Sequence, residues 1–225
     1  MRTRLLAAFL PCLAAAACDE PGAPTTTPAT LLRVINAADG PVDVLVDGQT
    51  LLRGLAAGAV SPRLGVSATQ HAVQLREAGT STPSSALAVT VAEGRTATVY
   101  ARSTGGALDA EALLDTALVP GPGKSKLRVI HLAANAPAVD VWRTQPDYQT
   151  FIRIQFPFPY EAAPVVASTP GTWEVRVTLA GESSELVSPV LTSSGPIAVG
   201  EGELRTVVLL DVANGGVKLE LLDDR

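Results

Sequence analysis

The chain writes one strand pattern twice. LRVINAADGPVDVLVDG runs from Leu32 to Gly48, and LRVIHLAANAPAVDVW runs from Leu127 to Trp142. Each copy has an apolar run with an Arg inside it, a break of small turn-forming residues, and then Val-Asp-Val. Downstream segments echo each other in the same order. VQLREAG (Val73 to Gly79) answers VRVTLAG (Val175 to Gly181), and VTVAEGR (Val89 to Arg95) answers IAVGEGE (Ile197 to Glu203). A repeat of this length constrains the fold more than any single motif, because each copy is one structural unit and neighbouring units share surface.

The repeated unit reads as strands. Val42, Val44 and Val46 fall on one face of an extended chain, with Asp43 and Leu45 on the other. Asp47-Gly48 then predicts a tight hairpin turn with left-handed backbone. In the first copy, strands are expected at Leu31 to Ala37, Val42 to Val46, His71 to Glu77, Leu87 to Val91 and Thr96 to Arg102. The last two are expected to pair through Ala92-Glu93-Gly94. Ala112 to Val119 closes the sheet, although Leu108 to Leu118 also carries a weak helical period. In the second copy the expected strands are Leu127 to Leu132, Val139 to Arg143, Thr172 to Leu179, Glu185 to Leu191, Leu204 to Asp211 and Val217 to Leu222. Short β-branched runs between turn residues predict an all-β fold, in the form of two tandem immunoglobulin-like antiparallel β-sandwich domains. The expected boundaries are 31–118 and 126–225. A short linker at 119–125 allows a limited hinge.

The N-terminus reads as an export leader. Arg2 and Arg4 precede a short apolar run, Leu5 to Leu13, too short to span a bilayer. Ala14 to Ala17 then leads into Cys18. Small residues followed by Cys resemble a bacterial lipobox, which implies acylation of Cys18 and removal of residues 1–17. Ala15 stands where the usual pattern has Leu, and Ala15-Ala16-Ala17 also fits ordinary signal cleavage after A-x-A, the lesser alternative to acylation. Asp19 to Thr30 is rich in Pro and Thr, has no large apolar side chain, and is expected to be a disordered tether. The protein is therefore expected in the cell envelope, anchored to one of its membranes by lipid, or else free in the periplasm or medium. The only cysteines are Cys12 and Cys18. The mature chain thus has no internal disulfide, and stability rests on burial.

Loss of Arg2 and Arg4 takes the formal charge from -5 to -7. An acidic body does not neutralise phosphates, so nucleic acid is not an expected partner. Two widely separated histidines, His71 and His131, do not make a zinc site, and no metal or cofactor is expected. Asp39, Asp43 and Asp47 recur on a strand, not in the compact loop calcium needs. Hydrolase, metalloprotease and phosphate-loop signatures are absent from the sequence, and a non-enzyme is expected.

LRVIHLAANAPAVDVW resembles the opening of the bacterial domain-of-unknown-function family 4397, whose members begin Arg-Val-X-His-Ala-Ser-Pro-Asp-Ala-Pro-Ala-Val-Asp-Val-Tyr. Arg128, His131, Asn135, Ala136, Pro137, Val139, Asp140 and Val141 fall on that pattern, with Trp142 at the aromatic place. Arg33, Val42, Asp43, Val44, Asp47 and Gly48 match in the first copy, where Asn36 replaces His and the loop is shorter. The resemblance implies an exported, often lipid-anchored β domain that is often found in tandem, and implies no activity.

Two sets of candidate residues follow. The motif residues Arg33, Asp43, Arg128, His131 and Asp140 are expected to be structural. Asp43 is expected to pair with Arg33 and Asp140 with Arg128 on a neighbouring strand, and His131 and Asn36 are expected to bond backbone at a strand end. The second set is aromatic. Trp142, Tyr148, Phe151, Phe156, Phe158, Tyr160 and Trp173 make up seven of the nine aromatic residues. They either fill the second core and the seam between domains or form a binding face. Trp142, Tyr148, Phe156, Phe158 and Tyr160 are the candidate ligand contacts, with Trp142 and Tyr160 the most exposed. Flat rings suit sugars and Pro-rich peptides. The expected function is non-catalytic: structural, adhesive or ligand-binding at the envelope, with an envelope protein or glycan as partner. A carbohydrate- or peptide-binding module is the alternative. A glycoside hydrolase using two of Asp109, Glu111, Glu182 and Glu185 is a distant third.

Overall fold

The computed structural model describes residues 29–113, 120–146, 151–181, 189–213 and 215–222, with the side chains of 151, 155 and 156 also outside the description. Residues 1–28, including Cys18, lie outside it, as do Tyr148, Glu182 and Glu185.

Every regular element among the described residues is a strand. The first unit contains β1 (Leu31–Asn36), β2 (Val42–Val46), β3 (Gln49–Leu55), β4 (Leu64–Gly65), β5 (Gln70–Glu77), β6 (Leu87–Thr90), β7 (Thr96–Thr104) and β8 (Ala107–Leu113). The second contains β9 (Ser125–His131), β10 (Val139–Thr144), β11 (Phe151–Phe158), β12 (Val165–Ser168), β13 (Gly171–Leu179), β14 (Val190–Ser193), β15 (Ile197–Val199), β16 (Leu204–Asp211) and β17 (Val217–Leu222). The first unit stacks sheet β4-β1-β7-β8 on sheet β3-β2-β5-β6. The second stacks β12-β9-β16-β17 on β11-β10-β13-β14, with β15 added beside β13. Strand order is thus the same in both units, apart from β15.

The valine alternation does what its period dictates. Val42, Val44 and Val46 meet Leu32, Val34, Val73, Leu75 and Val99 in the first core. Val139 and Val141 meet Leu127, Val129, Val175, Val177 and Val207 in the second. Asp47 and Gly48, at φ 50° and 77°, form the two-residue turn between β2 and β3. That geometry is the primed turn whose twist suits a hairpin.

A third apolar layer joins the units. Ile35 and Tyr100 from β1 and β7 pack against Ile130, Val208, Leu210 and Leu222 from β9, β16 and β17. The four sheets therefore form a four-layer stack, and the two middle sheets are covered on both faces. Covered strands read as near-continuous apolar runs, and β9 and β16 are buried along almost their whole length. The linker is held too. Gly123 N donates to Glu201 Oε1 at 2.7 Å, and Gly202 N donates to the Lys124 carbonyl at 2.8 Å.

Some expectations are corrected. Strands 87–90 and 96–104 do not pair: β6 pairs β5 in the outer sheet, while β7 crosses the sandwich to the inner one. The sheets are antiparallel except for one parallel pair in each unit, β1 with β7 and β9 with β16. A first strand buried on both faces needs two neighbours, and the chain supplies the second only after completing the outer sheet. Residues 108–113 belong to an edge strand and not to a helix. Strands β3, β4, β12 and β15 have no counterpart in the sequence-based expectation, being short or largely exposed. In β11 Ile152, Ile154, Phe156 and Phe158 do alternate, and the strand begins earlier than the ring-and-Pro alternation from Gln155 suggests.

Gly58 packs tightly against the second unit. At φ 69°, a Cβ there would lie 2.6 Å from the backbone oxygen of Asp211 in β16. Replacing Gly58 with Ala is expected to cost about 2 kcal/mol, combining left-handed strain with displacement of the seam. Gly48, with nothing within 4 Å of its Cβ position, is expected to cost about 1 kcal/mol on the same change. Urea titration of the two variants measures the difference.

Candidate functional site

The motif residues are set by their strands. Arg33 and Arg128 project from the inner sheets into the seam, on the faces of Ile35 and Ile130. Arg33 Nη2 donates to Thr98 Oγ1 at 2.9 Å, and Arg128 Nε donates to Thr206 Oγ1 at 3.2 Å. Both are register partners across the parallel pairs. The expected Arg33–Asp43 and Arg128–Asp140 pairs do not form. Each Asp projects outward from the other sheet of its sandwich, so a whole core separates it from the Arg. Asp43 instead accepts from Arg76 Nη2 at 2.7 Å and from Gly54 N at 2.9 Å. These bonds, the arginine first, lower its pKa. Asp140 accepts from Gly181 N at 3.2 Å, and its Oδ1 is buried without a partner. Thr178 stands opposite it, where Arg76 stands opposite Asp43.

His131 and Asn36 cap equivalent strand ends as expected. Asn36 Oδ1 accepts from Ala38 N at 3.0 Å, and His131 Nδ1 accepts from Ala133 N at 3.3 Å. An accepting Nδ1 belongs to neutral imidazole. The ring packs 5.3 Å from Phe158 and 6.1 Å from Tyr160. Burial pushes its pKa down to about 4, against a small opposing pull from Asp211. His71 has the opposite setting. Nδ1 lies 2.7 Å from Asp47 Oδ2 and Nε2 lies 3.0 Å from the Ser67 carbonyl. Both partners are acceptors, so both nitrogens donate and the cation is held. The Asp47 bond raises the His71 pKa most, with the Ser67 bond next.

The aromatic residues do not converge. Phe158 is 2% exposed and belongs to the second core. Trp142 does follow the outward parity of Asp140, but it is only 4% exposed. The Arg153 guanidinium lies 4.4 Å over its ring, and Nε1 donates to Thr178 Oγ1 at 3.0 Å. The expectation of an exposed Trp142 is therefore corrected: an outward ring on a sheet face is covered by a long cationic neighbour. Phe156 lies in β11 with its side chain outside the described residues. Tyr160 is 38% exposed. Beside it, Glu161 (φ 63°) accepts from Tyr100 Oη at 3.2 Å and from Arg102 Nη1, which ties the units together.

Of the carboxylates considered for hydrolysis, Glu182 and Glu185 lie outside the described residues and the other two are in ion pairs. Asp109 and Glu111 both face Arg102, at 3.3 and 2.8 Å. Among the described residues, no three His, Cys, Asp or Glu side chains gather as a metal site. A hollow of about 280 Å³ opens at the seam between Arg33, Ser61, Arg63, Glu220 and Leu221. Sequence reasoning missed Arg102, whose partners on β8 and beyond β11 give no signal in spacing.

The family model described as a domain of unknown function, DUF4397, matches residues 30–142, half of the sequence. The chain belongs to this family. The match covers the whole first unit and runs through the opening motif of the second. No curated protein matches the sequence. Among solved structures, the chain is similar to CBMbc, of family CBM26, from Eubacterium rectale Amy13K in complex with maltoheptaose (10% identity, 85% of this chain and 96% of that one, TM-score 0.29). It is similar also to the Bacillus anthracis TIE protein (10% identity, 85% of this chain and 34% of that one, TM-score 0.29). A third is a leucine-rich repeat protein from Bacteroides thetaiotaomicron (16% identity, 79% of this chain and 25% of that one, TM-score 0.23).

The two histidines predict opposite pH effects. His131 is neutral in the fold, so stability falls as pH drops from about 6.5, its unfolded value, towards about 4. His71 contributes below its unfolded value and loses that contribution as pH rises through its raised folded value. His131→Asn, which installs the acceptor used at Asn36, is expected to flatten the acid limb of a denaturation-midpoint profile between pH 4 and 6.5. His71→Gln is expected to leave that limb and lower stability most at acid pH.

Proposed function

We propose that this protein is a non-catalytic lipoprotein of the cell envelope, in which acylated Cys18 and the 19–30 tether hold a stiff β body off a membrane. The body comprises two copies of the family domain, over 31–118 and 126–225, and its role is structural, adhesive or ligand-binding. The observation that carries the reading is the seam. Three successive apolar layers run through four sheets, so the units move as one piece. A stiff body suits display or spacing at a surface. The repeated strand order and the two Arg–Thr pairs support the second copy. The leader and the small-residue run before Cys18 support the anchor.

Labelling cells with a fatty-acid analogue tests the anchor: wild type is expected to be labelled and Cys18→Ser is not. Equal labelling of both removes the lipoprotein reading in favour of a periplasmic or secreted protein.

A carbohydrate- or peptide-binding role has one specific support, the exposed ring of Tyr160 beside the unit seam. The aromatic face it requires is then small, because Trp142 and Phe158 are occupied within the fold. Tyr160→Ala is expected to lower retention on a glycan or peptide array by about tenfold, equivalent to loss of one stacking contact. Retention unchanged by that substitution places any binding elsewhere. The glycoside hydrolase reading has no support of this kind.

A further inference from the structure

The second unit buries a cation that its twin does without. Arg143 lies on the inward face of β10 and is 5% exposed. Its guanidinium carbon stands 4.3 Å from the centroid of the Trp173 ring. Nη1 donates to the Ala167 carbonyl at 2.9 Å. Nε is enclosed and has no hydrogen-bond partner among the described residues. Burial lowers the pKa of this side chain, and among the described residues no neighbouring charge pulls it back up.

Alignment of the two Val-Asp-Val strands puts Arg143 on Val46. Val46 is a buried member of the first core and faces Val73 across the sheet. Arg143 faces Val175 in the same register. The ring of Trp173 likewise takes the place of His71, which the first unit engages with Asp47. The sandwich therefore closes at this place with a small apolar side chain. A buried guanidinium here loses hydration and gains only one carbonyl and one ring face, a poor return unless a counter-charge arrives. Buried polar atoms without partners call for a bound group or another explanation. The edge of the guanidinium not engaged by Ala167 carries Nε and Nη2, and a planar N–H pair of this kind matches the two oxygens of a carboxylate once the side chains enclosing Nε move aside to admit it.

We propose that Arg143 holds a carboxylate-bearing ligand at this end of the second unit, with the Trp173 ring fixing the plane of its guanidinium. The site lies at the end of β10 away from Tyr160. It depends neither on the lipid anchor nor on the Tyr160 reading.

The test uses the full chain carrying Trp142→Phe, so that Trp173 is the remaining tryptophan reporter. Sodium acetate and sodium galacturonate are titrated, with sodium chloride and neutral galactose as controls. Both carboxylates are expected to change Trp173 emission saturably. A stronger response to galacturonate than to acetate identifies a sugar acid as the preferred source of the carboxylate. Arg143→Lys, which keeps the charge and loses the planar pair, is expected to weaken the response about tenfold. Arg143→Val, which installs the residue of the first unit, is expected to abolish it and raise the thermal midpoint of the free protein. A lowered midpoint in Arg143→Val makes Arg143 a structural residue and overturns the proposal. So does a lack of saturation by either carboxylate, a response shared with chloride, or a response unchanged in both variants.

Discussion

Exclusion of water from both faces of the two middle sheets governs this molecule. Strands β1, β7, β9 and β16 have a sandwich core on one side and the seam on the other. Any polar side chain on their buried stretches must find its partner inside the protein. That requirement explains the Arg in each opening motif. Arg33 and Arg128 enter the seam and meet Thr98 and Thr206 on the strands that run parallel to their own. Pairing within one sheet satisfies part of the guanidinium without any group from the opposite sandwich. The same arrangement therefore serves on both sides of the seam.

The units share a frame and differ in how they treat charge. The first is electrostatically closed: Asp43 meets Arg76, and His71 meets Asp47. The second keeps the motif aspartate but has Thr178 opposite it, and it replaces Val46 with Arg143. It also exchanges the amide cap of Asn36 for the imidazole of His131, a change that keeps the acceptor and adds a group sensitive to acid. Two units of one strand order, with one left conventional, are a permissive arrangement. The first unit and the seam stabilise the stack while the second departs from the rules of a quiet core.

Much of the fold was legible because alternation is a strong signal. Val42 to Val46 and Leu204 to Asp211 came out with their observed limits, the first because burial on one sheet face enforces a period of two, the second because burial on both faces leaves an unbroken apolar run. The Asp47-Gly48 turn was equally readable from its residue types. Pairing was less legible. Nothing in Leu87 to Arg102 says that the chain changes sheets at Ala92-Glu93-Gly94, because a crossover and a hairpin use the same turn residues. Exposure was the least legible. Trp142 has the parity of a surface ring, yet a single arginine from β11 covers it. Sequence spacing gives the face of a side chain and not what lies above that face.

The parallel pairing of the first strand of each unit has a kinetic side. Arg33 waits 65 residues for Thr98, and Arg128 waits 78 for Thr206. No unit can therefore complete its inner sheet from local contacts, and closure comes only when nearly the whole unit is in hand. Topologies dominated by distant pairing fold slowly. Until β7 and β16 arrive, the apolar runs at Leu31 and Leu127 remain open edges, so the interval before closure is when this chain is most exposed to mispairing with its own twin.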